Sequence, residues 1–240
     1  MRLRALARRL PSPVYRGLQR LYRRLRPVSP VPVINPGPLL TRTAPRLAGI
    51  PGWMNLDDLA HFTLVLQTQT AAGLHGHLLE IGCYHGRSAA AMAMQLQPGE
   101  RLWLVDAFDL PGTERYGDRP SPEAVRANLA RAAPSLTPDR VEIIYADSRS
   151  LSLPSGLRLR FAHIDGGHEP DTVLADLATC AAHLLPAGIL AVDDYAHPQY
   201  PGVTAAVDAF LKARPQWRIV ADLNRGGALG RKLYLHRRTA

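Results

Sequence analysis

The chain has 240 residues, 46% of them hydrophobic, and a formal net charge of +9. That length accommodates one sizeable α/β domain with its own core plus an appendage. Cys83 and Cys180 are too few for a disulfide framework or a paired-cysteine metal site and suit a reducing, cytoplasmic setting; no apolar run reaches the roughly eighteen residues of a membrane-spanning helix.

The charge is unevenly placed. Residues 1–56 hold eleven arginines and no lysine or acid, while the remaining 184 carry a net −2. The high pI therefore belongs to an N-terminal extension and is poor evidence for nucleic-acid binding by the rest. Within residues 1–26, Leu3, Leu6, Leu10, Val14, Leu18, Leu21 and Leu25 recur at spacings of three and four between arginines. Pro11 and Pro13 divide this stretch into two short helices, and its arginines interrupt any secretory-type apolar core. Two readings stand: a basic amphipathic segment on an anionic membrane, peripheral at its inner face, or an arm whose leucines pack on the domain. Residues 27–54 read as a linker, stiffened by Pro27, Pro30, Pro32, Pro36 and Pro38. Asn55, with Asp57 and Asp58 behind it, has the pattern of an N-cap and starts a helix over about 56–72.

From residue 78 the pattern alternates. The apolar runs LLEIG, RLWLVDAF, VEIIYADS, LRFAHIDGG and GILAVDDY are separated by helical stretches near 87–97, 121–133 and 170–184. WRIVADL and GRKLYLHRR follow, joined by a turn at 224–230. Such alternation gives a Rossmann-like, doubly wound, mostly parallel seven-stranded sheet, with the last two strands as an antiparallel hairpin at one edge. The domain is taken to span 55–240.

Open α/β sheets bind ligands beyond the carboxyl ends of their strands, so the strand ends carry the chemistry. The first ends in Glu80, Gly82, Tyr84, Gly86 and Ser88, an E-x-G-x-x-x-G loop rather than the G-x-G-x-x-G of dinucleotide sites. Its glycines allow close approach of a ligand, and Glu80 could receive the amino group of an amino-acid-bearing cofactor. Asp106 ends the second strand, placed for ribose hydroxyls; Asp147 and Ser148 follow the third, placed for an adenine amino group. Singly, each of these also reads as a turn glycine or a helix cap; acid, glycine loop and acid at successive strand ends make the stronger signal.

The fourth and fifth strands end at Asp165 and at Asp193-Asp194, and adjacent parallel strands bring these acids to one edge. Carboxylates so close repel one another unless protonated or bound to a cation. All-oxygen ligation suits Mg²⁺, Mn²⁺ or Ca²⁺. His168, three residues past Asp165, is in range to serve as a general base. The plainer alternative makes Asp193 and Asp194 helix caps and His168 a solvated loop residue. His163, on an apolar strand, reads as a core histidine.

At LLEIGCYHGRSA, HIDGGHEPDTVLADL and LLPAGILAVDDYAHPQYPGVTAAVDAFL the chain resembles the bacterial class I O-methyltransferases related to macrocin, mycinamicin and novobiocin sugar O-methyltransferases. The resemblance covers about 55–235 and leaves out the arginine-rich start. It implies S-adenosylmethionine (SAM) as cofactor, framed by Glu80, Gly82, Asp106, Asp147 and Asp165. It further implies Mg²⁺ or Mn²⁺ held by Asp165, Asp193 and Asp194, His168 as base, and a sugar or glycoside hydroxyl as acceptor. Novobiocin-type members carry an aspartate where this chain has Gly167, a departure that favours His168 as the base.

The rivals are a catechol-like phenol O-methyltransferase, a non-catalytic ligand- or membrane-binding member of the fold, and a dinucleotide oxidoreductase. A homo-oligomer is compatible with all of them. The arm yields a direct test. Binding to anionic vesicles should weaken with salt and vanish when residues 1–27 are deleted; equal vesicle binding by the truncated chain would discard the membrane reading.

Overall fold

The computed structural model describes residues 34, 36–111, 113, 118, 120–225 and 229–238. The basic segment 1–26 lies outside the described residues. Seven strands form one sheet: β1 (His77–Ile81), β2 (Leu102–Asp106), β3 (Val141–Tyr145), β4 (Leu159–Ile164), β5 (Leu184–Tyr195), β6 (Trp217–Asn224) and β7 (Arg231–Arg237). Their order is β3-β2-β1-β4-β5-β7-β6. The first five are parallel, and β7 runs antiparallel between β5 and β6. The expected architecture holds, with one refinement: at the hairpin end β7 is interior and only β6 is an edge strand.

Helices cover both faces. On one lie α1 (Gly37–Leu47), α2 (Leu56–Ala71), α3 (Arg87–Ala93) and α4 (Pro122–Ala132), closing over Phe62, Leu66, Leu104, Val125 and Phe161. On the other, α5 (Pro170–His183) and α6 (Pro201–Ala213) bury Val173, Leu177, Val207 and Phe210 against Leu79, Ala162 and Leu190. Parallel strands covered on both faces explain the continuous apolar runs. Helix α2 starts as expected: Asn55 accepts from the Asp58 amide and Asp58 accepts from the Asn55 amide, a reciprocal capping box. Helix α3 stops short of residue 97, because Pro98 disfavours helix at Gln97 and Glu100 captures the Gln97 amide at 2.8 Å.

The segment 27–54 is not linker throughout. From Gly37 it is helical, and Leu47, Ile50 and Met54 are buried in the core. Pro36 and Pro38 stand at the helix start, where a missing N–H costs nothing; proline content alone suggested an extended chain. Among the described residues no helix is long and apolar enough to cross a membrane.

Beneath the opposite ends of the strands lies a buried ion pair. Arg160 on β4 donates to Glu100 through Nε at 2.7 Å and Nη2 at 2.8 Å, and also reaches Gln69 on α2 and the Gln95 carbonyl. Burial opposes ionisation of Glu100, but Arg160 and the backbone amides outweigh it and hold the carboxyl below its usual range. Removing one partner strands the other charge in the core. Glu100→Ala should therefore lower unfolding free energy by about 3–5 kcal/mol in urea melts; a loss below about 1 kcal/mol would show the pair to be dispensable.

Candidate active site

At the carboxyl ends of the strands the loops enclose a cavity of about 610 Å³, a size that holds a small-molecule cofactor. Gly82 follows β1 with φ +85, and a Cβ there would lie 2.0 Å from the Asp165 carbonyl oxygen. Only glycine allows the β1 and β4 loops to touch in this way. Tyr84 (φ 49) and Phe108 (φ 47) also hold left-handed backbone at the cavity wall, a conformation that costs energy and concentrates at functional loops. Asp106 ties the two together: its oxygens accept from the Tyr84 and Phe108 amides, each at 2.7 Å. Burial raises its pKa, and those amides oppose the rise. The Cys83 backbone and thiol also donate to this carboxylate, which lines the cavity.

Of the residues singled out for the cofactor, Gly82, Tyr84, Asp106, Asp147, Ser148 and Asp165 line the cavity, whereas Glu80, Gly86 and Ser88 do not. Gly86 instead caps α3 with a left-handed turn. Glu80 is fully buried, and its Oε1 meets His163 Nδ1 at 2.7 Å. Its strand position put it beside the glycine loop, but its side chain points into the sheet's interior toward β4. Asp147 accepts from the Arg149 amide and pairs with its side chain, capping the short turn at Ser148–Ser150. Trp53, from the segment read as linker, also lines the cavity and packs on Tyr84 at 5.2 Å.

The acidic residues do meet, but they come with cations the sequence did not reveal. Asp193 receives Lys232 Nζ at 2.8 Å and Arg225 Nη1 at 3.1 Å. Lys232 also lies 3.4 Å from Asp58 and 3.2 Å from His163 Nε2. Arg225 reaches Asp194 at 3.3 Å, Asp58 at 3.7 Å and the Leu229 carbonyl. Asp194 adopts φ 57 where the β5–β7 register breaks. Its Oδ2 meets His168 Nε2 at 3.1 Å. His168 in turn stacks on Tyr200 at 3.6 Å, and Tyr200 stacks on His197 at 4.3 Å.

Charge then sorts the cluster. His163 is buried and opposed by Lys232, yet Asp193 and Glu80 raise its pKa to about 9. For Asp193, burial is outweighed by Lys232, His163 and Arg225, which hold it far below the usual carboxylate range. Asp165 has the opposite fate. It faces the cavity without an ion-pair partner among the described residues, and protein surroundings plus repulsion from Asp193 and Asp194 push it up to about 7. Ligand atoms of His163, Asp165 and Asp193 lie within 4.8 Å of one another. An uncompensated carboxyl in such a group suits a hard divalent cation. Both nitrogens of His163 are engaged, however, so the oxygens of Asp165 and Asp193 are its available donors. Asp194, expected as a third ligand, is turned to His168 and Arg225.

Lys232 shares a strand face with Tyr234, which is buried, and His236, which is half-buried. Arg225, in a turn, left no trace in the sequence. Asp58 was legible only as an acid in the first turn of a helix, and Tyr200 was not singled out.

Residues 79–195 match the family model described as a methyltransferase domain. The fold is shared with several solved structures. The O-methyltransferase NovP is 19% identical, with 77% of this chain and 81% of that chain covered and a TM-score of 0.60. TomG, an O-methyltransferase of Streptomyces achromogenes involved in tomaymycin synthesis and solved with SAM, is 15% identical over 88% and 93%, TM-score 0.57. CalS11, a TDP-rhamnose 3'-O-methyltransferase of calicheamicin biosynthesis, is 18% identical over 83% and 93%, TM-score 0.53. No curated protein matches the chain.

The close approach at Gly82 can be isolated. Gly82→Ala should destabilise the protein by at least about 1–3 kcal/mol beyond Gly99→Ala. Gly99 has a similar φ of +80 but nothing within 4 Å of an added Cβ. Equal melting midpoints for the two variants would remove the close-packing argument.

Proposed function

We infer that this chain, with a methyltransferase domain at residues 79–195 on a class I fold, is a SAM-dependent O-methyltransferase whose acceptor is a sugar or glycoside hydroxyl. One observation carries the reading. A single cavity runs from the β1–β3 loop ends, with Asp106 and Ser148, to Asp165, His168 and the acidic pair after β5. Cofactor-sized space and an acid–base group thus open into each other.

SAM supplies a methyl group on a positively charged sulfur, open to attack by oxygen. Asp106, on this reading, accepts hydrogen bonds from ribose hydroxyls while it holds the Tyr84 and Phe108 loops in place. Gly82 keeps the β1 loop free of side-chain bulk. A divalent ion at Asp165 and Asp193 would bind acceptor oxygens and lower the pKa of a hydroxyl. His168 takes the acceptor proton, and Asp194 at 3.1 Å orients its ring and steadies the imidazolium that results. Tyr200 fixes the ring plane from the other side.

The acceptor end of the cavity includes His197, Gln199 and Tyr200 beside His168. These hydrogen-bonding groups favour a hydroxyl-rich acceptor over a flat apolar phenol, in keeping with CalS11, which acts on TDP-rhamnose.

Methyl transfer to a glycoside panel tests the reading. EDTA should abolish turnover, and Mg²⁺ or Mn²⁺ should restore it. His168→Ala should lower the rate about 10²–10⁴-fold, a loss that shrinks at high pH as hydroxide replaces the base. Asp106→Ala should weaken S-adenosylhomocysteine binding by about 1–3 kcal/mol. Full activity in EDTA would reject the metal, and full activity in His168→Ala would reject the base. Binding of NADH without SAM would reject the cofactor.

A further inference from the structure

Asp193, one of the two carboxylates that would hold a metal ion, is already paired with cations of the chain itself, and the two cations differ in how firmly they are placed. Lys232 lies within β7, 1% exposed, and contacts Asp193, Asp58 and His163 at once. Its backbone belongs to a strand paired on both sides, so it is part of the framework. Arg225 follows the last residue of β6, beyond the final Asn224↔Arg231 pair. It reaches the acids through a long side chain whose Nε has no hydrogen-bond partner. Its guanidinium holds Asp193 through both terminal nitrogens, Nη1 on Oδ2 and Nη2 on Oδ1, and Nη2 also lies 3.3 Å from Asp194 Oδ1. It is also at the cavity wall, whereas Lys232 lies beneath.

A guanidinium keeps its charge at any physiological pH and matches paired carboxylates with its planar fork. A divalent ion drawing oxygens from Asp193 or Asp194 needs lone pairs that Arg225 now uses. It would also stand a few ångströms from a fixed positive charge, which repels it. Asp165, which lacks such a partner, is where an entering ion would first meet unclaimed negative charge.

We propose that Arg225 is a built-in counter-ion that competes with a divalent metal for Asp193, so that the ion is taken up only as the guanidinium leaves that carboxylate. The proposal rests on the reading that Asp165 and Asp193 hold the ion. It explains how Asp193 is buried as a carboxylate without a metal ion.

The test is Mn²⁺ binding by the full chain without SAM or acceptor, followed by the electron paramagnetic resonance signal of free Mn²⁺. Arg225→Ala and the longer neutral Arg225→Gln should bind at least about tenfold more tightly than wild type, from the charge removed. Arg225→Lys, which keeps the charge, should stay within about threefold of wild type. Asp165→Asn should abolish the tight binding in either neutral background, placing the ion at this cluster. S-adenosylhomocysteine binding shows which variants are folded. Neutral variants that bind Mn²⁺ no tighter than wild type overturn the competition while leaving the metal site standing. No Mn²⁺ binding by any of them overturns both.

Discussion

Asp193 at the end of β5 is the charge around which the site is arranged. Burying a carboxylate costs several kcal/mol unless a counter-charge is buried with it, and Lys232 answers it at 2.8 Å. The lysine comes from β7, which lies between β5 and the edge strand. It also draws in Asp58 from the first turn of α2, which lies on the same ammonium. Helix, interior strand and edge hairpin therefore meet at one ion cluster. The functional loops stand directly above it.

Two halves of the cavity are built by different means. The β1 and β2 loops are shaped by backbone: a glycine touching the β4 loop, two left-handed residues, and Asp106 spanning their amides. The β4 and β5 loops are shaped by side-chain charge, with His168, Asp194 and Arg225 setting one another's positions. The halves are joined where Gly82 meets the Asp165 carbonyl. A shift in the first loop thus moves the carboxylate on which the second depends.

What could be read from sequence follows from this division. Strand ends are set by local patterning, so Asp106, Asp147, Asp165 and Asp193 were found at the sheet's carboxyl edge. The capping box at Asn55 and the interior place of His163 were equally local. For Glu80 the strand position was legible but its facing was not, because one residue of alternation decides whether a strand-end side chain faces a ligand or the neighbouring strand. Here the neighbour is His163. Arg225 and Lys232 were missed for a different reason. Their role exists only through antiparallel pairing with a strand some forty residues earlier, as in Val192↔Leu233, and no spacing rule links them. The helix at Gly37–Leu47 was hidden by prolines that in fact sit at its start.

The chain order of the ion cluster has a consequence for how the molecule is made. A ribosome delivers Asp58, Asp165, Asp193 and Asp194 well before Arg225 and Lys232. Until the hairpin docks, Asp193 lacks Lys232 and Arg225. The hairpin also completes both faces of the core, with Tyr234 on one and Trp217, Leu233 and Leu235 on the other. A nascent chain without it would therefore lack the counter-ions of the site and part of the core together.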